Sequence, residues 1–395
     1  MPSIIQEKLD QAAAILDEHN VDVWLTFVRE TVLTPDPALD LIAGMEMVWQ
    51  SAFIVTREGS HYAIVGKHDR ENIERLGAYR EVTGYVEGIR NELVRVLMAL
   101  NPQTIALNYS ENDVAADGLS HGLMKLLSRY LQDTGLDERF VSAEAIISAL
   151  RGRKSPQELE RIRQAVKTTE GIFEQVGAQI KPGQTEAAIG AFVHDLINEK
   201  RLGTAWDYDY CPTVSCGPDS PVGHAGPSPD YAVTPGTLVH MDFGVKENGF
   251  CADLQRVWYI RREGEDDAPE EVRAAFNAAR LALTTGFDAL KPGVHGWQID
   301  EAARQTLIDT GYPAYEFAFG HHVGRMAHDG ATVLGPRWER YGQTPYGVIE
   351  AGNVFAIELG VFVENYGYIG LEENVLVTEK GAEWLSTPQE SLWLV

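Results

Sequence analysis

The sequence predicts an α/β (α+β) chain of two domains, the second built from two similar halves. Three observations lead there. Over the first 150 residues, apolar positions alternate between helical and strand spacing. At Arg151-Gly152-Arg153-Lys154 the pattern breaks, and Ser155-Pro156-Gln157-Glu158 restarts it with a capping box and proline at the first helical position. Beyond the break, Ile180-Lys181-Pro182-Gly183 and Leu290-Lys291-Pro292-Gly293 each join one amphipathic stretch to another, and strands and glycine-rich segments follow each of them. The domains expected are therefore 1–152 and 153–395.

In the first domain, Ile5, Leu9, Ala12, Ala13 and Leu16 recur at helical spacing, and Val23-Trp24-Leu25-Thr26-Phe27 reads as a strand. Ser51–Thr56 and His61–Val65 read as a hairpin around Glu58-Gly59, and Thr104–Tyr109 as a further strand. The second domain opens with a helix bearing Leu159, Ile162, Val166 and Ile172.

The chemistry gathers in two predicted hairpins. His240–Val245 and Phe250–Arg256 are joined by Lys246-Glu247-Asn248-Gly249, which has hairpin-turn chemistry. A four-residue loop sets Asp242 opposite Asp253; a two-residue Asn248-Gly249 loop sets Asp242 opposite Gln255, with Asp253 diagonal. Both registers put the two carboxylates on one face. Two like charges that close repel unless one is protonated or a cation lies between them. Downstream, Val354–Glu358 and Glu372–Val377 flank a turn around Glu364-Asn365-Tyr366-Gly367, and an odd loop puts Glu358 and Glu372 on one face. With His321 the set reads as a two-metal site.

The chain has 395 residues, 44% of them hydrophobic, enough for a sizeable core in each domain. A formal charge of −25 opposes binding to nucleic acid or to anionic membranes. The N-terminus lacks a basic segment followed by an apolar run, so the expectation is a cytoplasmic protein. Cys211, Cys216 and Cys251 are odd in number and lack CxxC spacing, which fits reduced structural thiols. The run Trp206-Asp207-Tyr208-Asp209-Tyr210 reads as core, with a substrate pocket as the alternative.

Five segments in order, Met241-Asp242-Phe243-Gly244, Asp253-Leu254-Gln255-Arg256, Gly320-His321-His322-Val323-Gly324, Ile357-Glu358-Leu359-Gly360 and Leu371-Glu372-Glu373-Asn374, resemble the metal motifs of the pita-bread metallopeptidases. That family includes Xaa-Pro dipeptidase (prolidase), aminopeptidase P and methionine aminopeptidase. The resemblance spans residues 155 to 395, and the leading domain is similar in layout to that of the Xaa-Pro enzymes and creatinase. It implies a pita-bread catalytic domain with pseudo-twofold halves after a creatinase-like N-terminal domain.

The resemblance further implies two divalent metals held by Asp242, Asp253, His321, Glu358 and Glu372. Glu358 would be the general base, and His224 and His328 substrate-side catalytic groups. Four carboxylates and one imidazole suit Mn²⁺, with Co²⁺, Zn²⁺ and Fe²⁺ as competitors. The implied partner is a peptide with proline in the second position, and the implied assembly a homodimer. A prolidase-like dipeptidase is the first expectation; aminopeptidase P action on longer peptides, small-amide hydrolysis as in the creatinase branch, and a non-catalytic binding role follow. The sequence departs from the family at Gln255 (usually Thr), Leu359 (usually Pro), His322 (usually Gly) and Gly370 (Arg in prolidases). A second prolidase arginine, upstream of the fourth motif, binds the free carboxylate of a dipeptide and also lacks a clear match here; Arg325, Arg337 and Arg340 are the candidates for that role.

Overall fold

The computed structural model describes residues 3–223 and 225–395. The chain divides into two compact units, Met1–Arg151 and Gly152–Val395.

The first unit runs α1 (Ile4–Glu18), β1 (Val23–Val28), α2 (Leu39–Ile42), β2 (Ser51–Thr56), β3 (His61–Gly66), α3 (Arg70–Arg75), β4 (Glu81–Tyr85), α4 (Arg90–Leu100), β5 (Ile105–Leu107), α5 (His121–Leu131), β6 (Phe140–Ser142) and α6 (Glu144–Gly152). Its six strands form one sheet in the order β4-β3-β2-β1-β5-β6. The β2–β3 hairpin pairs Ala52 with Ile64, and its turn holds Gly59 at φ 79. Strand side chains alternate between faces, and both faces are covered. Trp24, Phe53 and Val55 pack with Leu9, Leu16 and Ile146 on one side. Leu25, Phe27 and Ile54 pack with Leu93, Leu97, Leu123 and Leu127 on the other. The strand expected at Thr104–Tyr109 narrows to three residues, because Tyr109 N turns back to Leu107 O.

The second unit begins with α7 (Pro156–Gly177), whose capping box is formed as read: Ser155 Oγ accepts from Glu158 N at 3.3 Å, and Glu158 Oε2 from Ser155 N at 2.9 Å. Then come α8 (Glu186–Lys200), β7 (Gly203–Thr204), β8 (Thr213–Cys216), β9 (Leu238–Phe243), β10 (Val245–Glu247), β11 (Phe250–Cys251) and β12 (Leu254–Tyr259). A second series follows: α9 (Glu270–Ala289), α10 (Gly296–Asp309), β13 (Gly320–His322), β14 (Val333–Leu334), β15 (Val354–Val363), β16 (Gly367–Thr378), β17 (Gly381–Trp384) and β18 (Trp393–Leu394).

The echo between the two series is structural. Gly183 N donates to Val233 O in the first and Gly293 N to Ile349 O in the second. Isolated bridges Thr185–Ala232 and His295–Val348 then follow at the start of the second helix of each pair. Both halves feed one sheet in the order β14-β13-β15-β16-β12-β9-β8. Helices α9 and α10 cover Phe355, Ile357, Leu359 and Leu371, while Phe173 of α7 packs on Phe243 and Trp258. Among the described residues no helix is long and apolar enough to cross a membrane.

Candidate metal centre

The first carboxylate hairpin takes the two-residue register. Asn248 and Gly249 have φ 51 and 81, the positive pair that a tight hairpin turn needs, and Glu247 therefore pairs with Phe250. The same register carries through to Asp242 opposite Gln255. At the crossing point, a Cβ on Gly244 would collide with Ala252 O, so only glycine lets the two strands meet there. The second hairpin closes with the three-residue loop Glu364-Asn365-Tyr366, which sets Glu358 directly opposite Glu372.

These registers compose one row across five adjacent strands: Glu358, Glu372, Gln255, Asp242 and Thr213 are successive cross-strand partners on β15, β16, β12, β9 and β8. Asp253 lies two residues before Gln255. Its turn is fastened to β16 by Asn374, whose side chain accepts from Asp253 N at 3.1 Å and donates to Asp253 O at 2.9 Å.

From β13, His321 Nε2 lies 3.7 Å from Glu372 Oε1, 3.9 Å from Asp253 Oδ2 and 4.0 Å from Glu358 Oε1. One ligand atom each from Asp253, His321 and Glu372 fall within 4.8 Å of one another. All five expected ligands line one cavity of about 460 Å³, together with Trp206, Asp207 and His328. A neighbouring cavity of about 340 Å³ shares Asp242, His321, His328 and Glu358, and adds Tyr315, Phe317, Tyr341 and Tyr368.

Electrostatically the cluster is frustrated. Burial pushes the carboxyls of Asp242, Asp253, Glu358 and Glu372 above the usual carboxylate range, and mutual repulsion pushes further on Asp242, Asp253 and Glu372. Burial, then the neighbouring His328, brings His321 down to about 3. The imidazole is therefore neutral, and its approaches to the carboxylates are converging donor atoms rather than ion pairs. Asp242 Oδ1 is buried with no hydrogen-bond partner among the described residues. The buried Arg256 does not relieve the cluster, since alternation turns it to the other face, where it pairs with Glu373 at 3.0 Å. Oxygen-rich donors, one neutral imidazole and an unsatisfied carboxylate oxygen fit a hard divalent cation.

Of the other expected site residues, His328 packs edge-on to His321, with ring centroids 4.2 Å apart, and lines both cavities. His224 lies outside the described residues. Arg325 turns toward Glu158 and the Phe250 ring, Arg337 stacks 4.2 Å over Trp297, and Arg340 lies over Trp338 and Tyr341 at the border of the smaller cavity. The aromatic run read as core is instead partly exposed, with Tyr208 at 42% and Tyr210 at 50%, while Trp206 and Asp207 line the larger cavity. The three cysteines are free and buried. Sequence reasoning overlooked His240, Tyr315 and Tyr368, and treated Gln255 only as a departure. Period-two counting back from Asp242 and Glu372 finds His240 and Tyr368. Tyr315 comes from a loop and carries no such signal.

The sequence profile of Metallopeptidase family M24 matches residues 160–379. An uncharacterized peptidase of Staphylococcus haemolyticus is 27% identical over 288 residues, covering 70% of this chain and 77% of its own. Among solved structures, an Xaa-Pro dipeptidase from Bacillus anthracis aligns with a TM-score of 0.75 at 19% identity, covering 99% of this chain and 100% of its own. An X-Pro aminopeptidase from Thermotoga maritima aligns at 0.72 and 24%, covering 99% of each chain. A prolidase from Pyrococcus horikoshii aligns at 0.70 and 20%, covering 98% of this chain and 99% of its own.

Proposed function

Because the chain belongs to metallopeptidase family M24, we propose that it is a two-metal hydrolase that removes the N-terminal residue from peptides with proline in second position. The observation that carries this reading is the row of buried and half-buried carboxylates closed by His321, with Asp242 Oδ1 left without a hydrogen-bond partner among the described residues. In it, Asp242, Asp253, His321, Glu358 and Glu372 would hold two divalent cations, Mn²⁺ by the hardness of the donors. When bound, the cations supply positive charge that polarises a scissile carbonyl.

The protein groups do the rest. Glu358, at the edge of both cavities, accepts a proton from the attacking water, and its burial favours the protonated form that follows. His328 hydrogen-bonds the substrate beside His321, and His224 is assigned the same task from the sequence. Reduced thiols agree with a cytoplasmic setting. A homodimer belongs to the same reading and rests on the resemblance alone.

For substrate length, the smaller cavity favours peptides longer than two residues. Its described lining sets Tyr315, Phe317, Tyr341 and Tyr368 beside Asp242 and Glu358 and holds no Lys or Arg, which suits an uncharged amide after the proline better than a free carboxylate there. The test is hydrolysis of Ala-Pro and Ala-Pro-Ala by metal-stripped protein refilled with Mn²⁺, beside an Asp253→Ala control. Faster cleavage of the tripeptide is expected. Cleavage of the dipeptide alone would reinstate the dipeptidase, and metal-dependent cleavage of neither would sink the peptidase assignment.

A further inference from the structure

Gln255 stands at the centre of the cross-strand row, an uncharged side chain with Glu372 on one side and Asp242 on the other. Its carboxamide is fully engaged. Nε2 donates to Glu358 Oε2 at 2.8 Å and to Glu372 Oε2 at 3.0 Å, so one side chain spans both carboxylates of the second hairpin. Carboxylate oxygens accept, so the amide must turn its NH₂ group toward them. Its Oε1 then faces His240 Nε2 at 2.9 Å, and that nitrogen must carry the proton. His240 is itself buried and braced edge-on against Tyr368, with ring centroids 5.1 Å apart. Space for the pair comes from Gly370. Its backbone lies outside the left-handed region, yet a Cβ there would strike both Gln255 Oε1 and His240 Nε2. A glycine that strand geometry does not require is thus required by the hydrogen bond.

We propose that Gln255 is a positioning residue of the metal centre, holding Glu358 and Glu372 in their facing arrangement, with His240 fixing its amide and Gly370 leaving it room. The proposal rests on the metallopeptidase reading only in taking those two carboxylates as ligands. Second-layer partners of metal ligands carry roughly 10–100-fold in metal affinity.

The experiment is calorimetric titration of Mn²⁺ into metal-stripped protein, with the Co²⁺ absorption spectrum as a second readout of ligand geometry. The proteins are wild type, Gln255→Leu, Gln255→Ala, Gly370→Ala, and Gly370→Ala combined with Gln255→Ala. Expected are a 10–100-fold weaker Mn²⁺ affinity and an altered Co²⁺ spectrum in Gln255→Leu. Gly370→Ala should lose a similar factor, because its methyl displaces the amide. In the combined variant the methyl still meets His240 but no amide, so the loss it adds to that of Gln255→Ala alone should be smaller than the loss Gly370→Ala causes in wild type. Wild-type Mn²⁺ affinity and spectrum in a folded Gln255→Leu protein would overturn the proposal. So would an effect confined to thermal stability of the metal-free protein, which would make Gln255 merely structural. Because nothing here reads peptide cleavage, a wild type that binds Mn²⁺ and cleaves no Xaa-Pro peptide would refute the assigned substrate and leave this result standing.

Discussion

Glu358 carries two burdens at once, as an expected metal ligand and as the expected base, and the Glu358→Gln substitution separates them. The amide keeps the side-chain shape and one oxygen donor but no longer accepts a proton. A loss of about 10²–10⁴-fold in kcat, with KM changed far less, is expected from removing a general base. Near-normal kcat in a metal-loaded Glu358→Gln protein would move the base elsewhere. In the first unit a different carboxyl sets a pH dependence. Asp36 is buried, accepts from Asn108 Nδ2 and Ala38 N, and burial raises its pKa from 3.8 to about 6. Between those values the unfolded chain has lost the proton that the folded chain keeps, so stability falls as pH rises through the window. Below about pH 4 the penalty is absent, and above about pH 6 it is complete at roughly 3 kcal/mol. Urea unfolding at pH 4 and pH 7 should show a loss larger in wild type than in Asp36→Asn by about that amount, the remainder belonging to the other carboxyls raised by burial. Equal pH slopes in the two proteins would refute it.

At the level of elements, the first carboxylate hairpin depends on Gly244 as much as on its turn. A methyl there meets the Ala252 carbonyl, immediately before Asp253, and the strands cannot both keep their places. Gly244→Ala should therefore cost about 1–3 kcal/mol, the range for overpacking, and should also lower Mn²⁺ affinity because Asp253 moves. A stability loss with unchanged metal affinity would show that the hairpin tolerates the shift elsewhere. This hairpin also marks how far sequence reading reached. Period-two alternation put Asp242 and Asp253 on one face whichever loop formed, so the shared face was legible while the register was not. The choice between a two- and a four-residue loop depends on the ladder continuing past Gly244, which is a cross-strand property. The Asn248-Gly249 pair favoured the shorter loop only in hindsight of that ladder. Likewise Glu358 and Glu372 could be paired from their even separation, whereas the meeting of β12 with β16, which brings Gln255 beside Glu372, left no trace in local pattern. The positions of Arg325 and Arg337 were equally illegible, because their partners Glu158 and Trp297 are set by tertiary packing.

For the whole molecule, the acidic charge of −25 and the buried carboxylate cluster act in the same direction, since both make the metal-free chain pay for negative charge held close. The cost is unevenly distributed. The cluster lies wholly within the second unit, Gly152–Val395, and the first unit, Met1–Arg151, contributes none of its residues. Binding of Mn²⁺ should therefore stabilise one unit and leave the other alone. At a free concentration about 100 times the Kd, mass action contributes about 2.7 kcal/mol. For a unit of this size each kcal/mol is worth about 2–4 °C, so its transition should rise by roughly 5–11 °C. Scanning calorimetry of the full chain, metal-stripped and then refilled, should resolve a metal-sensitive transition and a metal-insensitive one. Asp253→Asn should hold the first at its metal-free temperature. A rise shared equally by all of the heat absorption would show that the two units unfold together, and no rise in wild type would refute cation binding at the cluster.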